Sequence, residues 1–189
     1  MRGFFLCVFS LVACVSTATA GDGWYASIYG GLNRDQVIDL DFVKSKDGLL
    51  IGGTIGHKVA GIPGLRVEAD ASYRTNDVDV FDCLTVRHET TAIMGNAVFD
   101  IGSGQFVPYV LAGAGYAETR ASVADIPGLS LEASDVAYQL GGGVNVTITS
   151  GVSAGVGYRF LQAPELNAYG EKLSDGKNHS AVASLSFDL

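Results

Sequence analysis

From Leu65 to Asn76 the chain alternates without a break. Leu65, Val67, Ala69, Ala71, Tyr73 and Thr75 fall on one face of an extended strand, and Arg66, Glu68, Asp70, Ser72, Arg74 and Asn76 on the other. Successive side chains of a strand point to opposite faces, so the segment has one apolar and one strongly polar side. A soluble β-sandwich would turn the charged side to water. A membrane barrel would turn the apolar side to lipid and the charged side to its lumen. This segment alone does not separate the two environments.

Seven more segments repeat the pattern. They are Trp24 to Asn33, Leu49 to Val59, Thr90 to Ile101, Phe106 to Ala117, Val136 to Ile148, Val152 to Leu161 and Ser180 to Leu189. The phase of Phe106–Ala117 is left open by its Gly/Ala-rich centre. Each segment is close to the ~9–11 residues that a tilted strand needs to cross a bilayer. The connections alternate in length. Ala60–Gly64, Gly102–Gln105 and Thr149–Gly151 are brief, whereas Arg34–Gly48, Asp77–Glu89, Glu118–Asp135 and Gln162–His179 are long. Short turns at one end and long loops at the other are the asymmetry of an outer-membrane barrel. The expectation is an all-β fold: an eight-stranded antiparallel transmembrane β-barrel with short periplasmic turns and long external loops.

Sorting the charges by face supports this. The proposed lumen receives Lys58, Arg66, Arg74 and Arg159 against Glu68, Asp70, Asp100 and Asp188, a neutral set. The proposed lipid face carries no Asp, Glu, Lys or Arg; its one irregular residue is His57. The four long connections are each net acidic, −1, −3, −3 and −1 in order. An eight-stranded lumen is just wide enough for side chains to fill. Paired arginines and carboxylates are expected there, because an unpaired buried charge is expensive. The chain has 25 glycines among 189 residues, and the inward ones leave room for those long side chains. Trp24, Tyr73, Tyr158, Phe160, Phe187 and Tyr109 are placed near strand ends as an interfacial girdle. A secreted soluble barrel or sandwich is the competing reading.

Composition removes other classes. Hydrophobic residues make up 48% of the chain, too many for a disordered tail. No stretch after residue 20 is an apolar run long enough for a membrane helix. The net charge of −8 excludes a generally cationic nucleic-acid surface.

Residues 1–20 are expected to be a secretory signal peptide, with 21–189 as the barrel domain. Arg2 supplies the positive start, Phe4 to Val15 the apolar stretch, and Ala18-Thr19-Ala20 the small-residue cleavage pattern. Leu11-Val12-Ala13-Cys14 also fits a lipoprotein box that would leave Cys14 acylated. Cleavage after Ala20 removes Cys7 and Cys14. Cys83 then stands alone, and no intramolecular disulfide can form.

The stretches Arg66–Arg74, Pro108–Ala117 and Tyr138–Val144, with the opening Gly23–Gly31, resemble the small OmpA-like, opacity-type outer-membrane β-barrel proteins of Gram-negative bacteria. The resemblance covers essentially the whole chain after residue 20. It implies an envelope-structural or host-facing role, antigen- or adhesin-like, carried by the external loops. Such proteins typically end in an aromatic residue that the barrel-assembly machinery recognises. This chain ends in Leu189, with Phe187 two residues before it. The expectation is the barrel alone, without a peptidoglycan-binding domain after it.

The expected function is therefore non-enzymatic. The expected partners are outer-membrane lipid and lipopolysaccharide, the barrel-assembly machinery through the C-terminal strand, and a host or extracellular ligand at the loops. No catalytic residue, cofactor or metal site is assigned. Asp35, Asp39 and Asp41, and Asp77, Asp79 and Asp82, lack the glycine and terminal glutamate of a calcium loop. A lipid A-modifying enzyme would need a histidine and serine together. Only His57, His88 and His179 are available, and His179-Ser180 are adjacent residues that a strand points apart. A narrow pore is the other alternative, opposed by a lumen crossed with charges.

Overall fold

A computed structural model describes residues 23–37, 43–45, 47–80, 84–123, 130–168 and 171–189. Cys7, Cys14 and the cleavage site, together with Asp39, Asp41, Asp82 and Cys83, lie outside the described residues. Among the described residues there are ten strands: β1 (Trp24–Val37), β2 (Val43–Ser45), β3 (Gly48–Lys58), β4 (Leu65–Val80), β5 (Leu84–Asp100), β6 (Phe106–Val123), β7 (Ser130–Thr149), β8 (Val152–Gln162), β9 (Leu166–Ala168) and β10 (Glu171–Asp188). Eight of them are the staves of a barrel. β1, β3, β4, β5, β6, β7, β8 and β10 pair in sequence order, and β10 pairs back onto β1 from Tyr25↔Asp188 to Val37↔Ser174. Every pairing is antiparallel, and closure leaves the membrane-level sheet without an edge.

The faces follow the alternation. Ile28, Leu32, Ile51, Ile55, Val67, Ile93, Phe99, Val110, Leu140, Val156 and Leu185 are all exposed on the outside, while Glu68, Asp70, Arg74, Asn96, Gln139 and Arg159 are buried inside. The outward run free of charge spans nine residues on β1, Trp24 to Leu32, and thirteen on β7, Val136 to Ile148. At the rise and tilt of barrel strands these give roughly 23 to 33 Å of height, which brackets the apolar band of an outer-membrane barrel. The phase of β6 is settled as well. Leu111 and Ala117 face inward and are buried, with Val110 and Tyr116 exposed outside. Tyr109 therefore points into the lumen, where its ring centroid lies 6.0 Å from the Arg66 guanidinium carbon. Its assignment to the lipid-facing girdle is corrected.

The turns at the lower end are short, as expected. Gly151 adopts φ +83° between β7 and β8. Gly64 adopts φ +84° before β4, where its carbonyl accepts the Asp100 N–H at 2.8 Å and an added Cβ would lie 2.6 Å from the Asp100 oxygen. The left-handed conformation and the close approach both require glycine.

At the upper end the strands run further than the alternation predicts. β4 and β5 continue together to Val80↔Leu84, and β6 and β7 to Ser122↔Ser130. Much of Asp77–Glu89 and Glu118–Asp135 is therefore ladder rather than loop. Above the band the outer face of these strands meets water rather than lipid, so it is no longer selected to be apolar and the period-two signal disappears, although Asn76, His88, Thr119 and Ala121 on the inner face stay buried. The six residues Glu118–Val123 and the six residues Ser130–Asp135 stand above the apolar belt, a rise of roughly 15 Å.

Candidate functional site: the sealed lumen and the external wall

The lumen is built from β1, β3 and β4 outward. β3 presents Gly48, Gly52 and Gly56 to the interior at every fourth residue, and β1 presents Tyr25, Tyr29 and Asn33 at the same interval. Each β1 side chain passes over the β3 glycine and bonds to β4. The Tyr25 hydroxyl donates to Glu68 Oε1 at 2.6 Å, the Tyr29 hydroxyl to Asp70 Oδ2 at 2.8 Å, and Asn33 Nδ2 to Asn76 Oδ1. A Cβ on Gly52 or Gly56 would lie 2.4 or 2.3 Å from the Tyr29 or Tyr25 ring. The same device recurs across β6. Gln139 Nε2 on β7 donates to Asn96 Oδ1 on β5 at 2.7 Å, over Gly113, whose Cβ would meet that oxygen at 2.0 Å.

The ion pairs sit in layers. At the lower mouth Lys58 Nζ is 3.1 Å from Asp188 Oδ1, both partly exposed. Above them Arg66 donates to both Asp100 oxygens at 2.8 and 2.9 Å and to Glu68 Oε1 at 3.1 Å. Deeper still, Arg159 Nη1 donates to Asp70 Oδ2 at 2.9 Å, with its guanidinium carbon 4.0 Å from the Tyr29 ring centre. Arg74 departs from the expected pairing. It is 1% exposed, and among the described residues its hydrogen-bond partner is the Ser72 hydroxyl at 2.8 Å rather than a carboxylate. A guanidinium keeps its charge under any ordinary condition, so Arg74 relies on the field of Asp70, which Arg159 also uses.

Around and above this layer the inward side chains are buried. Ala92, Met94, Ala117, Ala137, Leu161 and Ala163 form an apolar cluster, with Tyr29, Leu50 and Val182 opposite. Asn33, Asn76, Asn178 and Ser180 form a polar cap: Asn33 Nδ2 donates to Asn178 Oδ1 at 2.9 Å, and Ser180 Oγ to Asn33 Oδ1 at 2.6 Å. Asp35 and His88 lie inside the barrel as well, Oδ2 to Nδ1 at 3.2 Å, both buried. Their assignment to external loops is corrected; β1 and β5 extend far enough to carry them inward.

The remaining histidines face out. His57 packs edge-on against Trp24 at 4.8 Å, low on the apolar face. The His179 ring lies against Phe160 at 5.2 Å on the outside, whereas Ser180 points inward. The structure does not bring that histidine and serine together. Sequence reasoning missed Tyr25, Tyr29, Asn33 and Gln139 as lumen bridges; the matched four-residue spacing of Tyr25/Tyr29/Asn33 and Gly48/Gly52/Gly56 was the available signal.

Outside and above the band stands a wall formed by β4, β5, β6 and β7. Its rungs carry exposed ion pairs: Arg87 Nε to Asp77 Oδ1 at 3.1 Å, and Arg120 Nε to Glu132 Oε1 at 2.8 Å. Arg34 pairs with Asp47 at 2.7 Å beside the wall. The bond to Asp77 raises the pKa of Arg87 above its ordinary value. Below this charged belt the Tyr73 hydroxyl donates to Glu89 and the Tyr116 hydroxyl to Ser134 Oγ, so each ring is apolar-side down and polar-end up, as at a membrane interface. The two edges of the wall differ. β2 covers β4 through Val43↔Val80, Lys44↔Asp79 and Ser45↔Val78. The β7–β8 ladder stops at Tyr138↔Gln162, so β7 from Ser130 to Ala137 pairs only with β6 among the described residues. Pro164 follows two residues after β8 and cannot donate to a ladder. Ala163 N–H donates to the carbonyl of Gly176, one rung beyond Lys177↔Gln162 on the β10 side, and Gly176 adopts φ +66°. A cleft of about 590 Å³ opens at this seam.

A closed tube that is apolar outside, ion-paired inside and walled above one rim is an integral β-barrel membrane protein. Residues 5–187 match the outer membrane protein beta-barrel domain family, and the chain belongs to it. The protein resides in the Gram-negative outer membrane. The chain is similar to outer membrane protein PagN of Salmonella typhimurium, at 26% identity over 96% of this chain and 89% of PagN. Its fold is that of Neisserial surface protein A (TM-score 0.65, 17% identity, 88% of this chain and 97% of the other). The attachment invasion locus protein Ail of Yersinia pestis shares it too (TM-score 0.54, 15% identity, 88% and 99%).

Proposed function

We propose that this protein is a non-enzymatic, host-facing surface protein whose external wall contacts an extracellular partner. The observation that carries the reading is the wall itself. Four strands hold their ladder roughly 15 Å beyond the apolar band, and their rungs are pinned by Arg87–Asp77 and Arg120–Glu132. A barrel that served only to span the membrane would have no use for a rigid extension there. The similarity to PagN and to the attachment protein Ail supports the surface role. The lumen supports the absence of transport, since the apolar cluster around Leu161 and the Asn33 cap fill the tube.

Residues 1–20 act as the export signal in this reading. The outward Leu185, Phe187 and the terminal Leu189 on and beyond β10 supply the contact with the assembly machinery, and the tyrosines of the upper belt meet lipopolysaccharide. Ail has been crystallised with the heparin analogue sucrose octasulfate, a polyanion. The net charge of −8 opposes a polyanionic ligand here and favours a cationic one.

The test is cell association. The protein is displayed on a non-adherent Gram-negative strain and compared with a variant whose two wall hairpins are shortened by their upper rungs, Val78–Val86 and Ala121–Leu131. The wild type should confer association with epithelial cells or matrix-coated surfaces, and the shortened variant should lose it while keeping heat-modifiable gel migration. Equal association of both, or none by the wild type, overturns the reading.

A further inference from the structure

We infer that the lower half of the lumen is a water site reached from the periplasmic side, in which bound waters join the Glu68 carboxylate to the Arg159 guanidinium. The site lies at the opposite end of the barrel from the wall and does not depend on the surface role. Exposure changes along the inward faces of β7, β8 and β10. Gln139, Arg159, Val182 and Ser180 are buried, whereas Asn145, Ser153, Ser184 and Ser186, nearer the short turns, are partly exposed. These side chains face the lumen, so the solvent they meet is inside the tube. The lower mouth admits it, since Lys58 and Asp188 stay about half exposed in their pair.

Small side chains make the room. A cavity of about 30 Å³ is lined by Arg66, Glu68 and Arg159 and by the smaller Ser27, Asn145 and Ser184. That volume holds about two water molecules. Gly155 keeps it clear, because a Cβ there would lie 2.4 Å from Asn145 Oδ1 and 2.7 Å from Ser184 Oγ. On the neighbouring side a Cβ on Gly157 would lie 2.6 Å from the Tyr109 hydroxyl, so glycine also lets that ring lie over β8.

The charged groups select the ligand. Glu68 Oε1 accepts from Tyr25 and Arg66, whereas Glu68 Oε2 is buried and has no hydrogen-bond partner among the described residues. Arg159 Nη1 donates to Asp70, whereas Arg159 Nε is buried and equally without a partner among them. A carboxylate oxygen accepts and a guanidinium N–H donates. An anion in the cavity would meet the Glu68 carboxylate, and a cation would meet Arg66 and Arg159. A neutral molecule that both donates and accepts serves the two together, and at this volume that molecule is water. Ser184 and Asn145 on the same wall bring its bonds toward the roughly three that a buried water makes.

The experiment uses the full barrel in nanodiscs, with Cys83→Ser in every variant and heat-modifiable migration as the check on folding. Ser184→Cys and Ser186→Cys are compared with Ser180→Cys and Thr119→Cys, which are buried higher on the inward surface. The lower thiols should react with methyl methanethiosulfonate at least about tenfold faster, because the upper ones need an opening of the fold. In the protein with Ser184 and Ser186 unchanged, the Arg159 Nε–H resonance should show a cross-peak to water, and crystals should hold water within hydrogen-bond distance of Glu68 Oε2 and Arg159 Nε. Equal labelling of lower and upper thiols, or no labelling of either lower one, overturns solvent entry from below. Absence of the water cross-peak, or a bromide ion beside Arg159 in crystals grown with bromide, overturns the water assignment.

Discussion

Tyr25 and Glu68 are joined hydroxyl to carboxylate at 2.6 Å although their strands, β1 and β4, do not pair with each other. The strand between them contributes Gly56, and only hydrogen fits beneath the tyrosine ring. The lumen is thus organised by bridges that skip a stave, each needing a small residue under it.

This arrangement makes the glycines sensitive positions. Gly113→Leu should sever the Gln139–Asn96 bond, since a Cβ there meets Asn96 Oδ1 at 2.0 Å and the Gly95 carbonyl at 2.7 Å. The expected cost is about 2 to 3 kcal/mol, read as a lower urea midpoint for the heat-modifiable form in detergent. Gly61→Leu, in a lower turn with nothing within 4 Å of its Cβ, should cost only about 1 kcal/mol from its left-handed backbone.

Asp70 is the single most demanding lumen residue. It accepts from Tyr29 and Arg159 and lies in the field of Arg74. Asp70→Asn should cost about 3 to 5 kcal/mol, because two buried guanidiniums would lose the carboxylate they share. The double variant Asp70→Asn, Arg159→Gln should recover part of that loss in the same unfolding measurement.

On the outside the cost should depend on depth. Ile93→Arg lies in the middle of the apolar run of β5 and is exposed there; about 2 to 4 kcal/mol is expected. Leu49→Arg, beside the charged upper rim, should cost about 0 to 1 kcal/mol. Folding equilibria in phospholipid vesicles compare the two, and equal costs would contradict the placement of the band.

The sealed tube should carry no steady ion current in planar bilayers. Leu161 and Ala163 close it at one level and the Asn33–Asn76–Asn178–Ser180 cap at the next. Well-resolved open channels from the purified wild type would refute the seal.

Trypsin applied to intact cells should spare Arg87 and Arg120. Both lie on the external side, but Arg87 pairs with Asp77 and Ser122, and Arg120 with Glu89 and Glu132, within continuous ladders. Mass spectrometry of the released peptides checks this.

The membrane-level barrel was legible in the residues because lipid imposes a rule on one face. A charge at Ile93 or Leu140 is penalised, so the alternation in β5 and β7 stays clean. Above the rim nothing imposes that rule. Val86-Arg87-His88-Glu89 is strand, yet its pattern resembles a solvated loop, and Asp35 and His88 were placed outside for that reason. The seam was illegible for a different cause. Pro164 marks a strand stop, but which neighbour it leaves unpaired depends on the unequal lengths of β7 and β8, a property of register rather than of local sequence. Tyr109 was misplaced because a Gly/Ala-rich segment has no preferred phase of its own.

The bridges that skip a stave bear on how the chain enters the bilayer. Asp70 sits on the third stave, but its partners come from the first and the seventh. A half-inserted sheet of early hairpins would present that carboxylate to hydrocarbon with Arg159 still outside. Insertion stave by stave is therefore uphill until the ends meet, and the chain must be held as a curled, nearly complete sheet before it is released into the membrane.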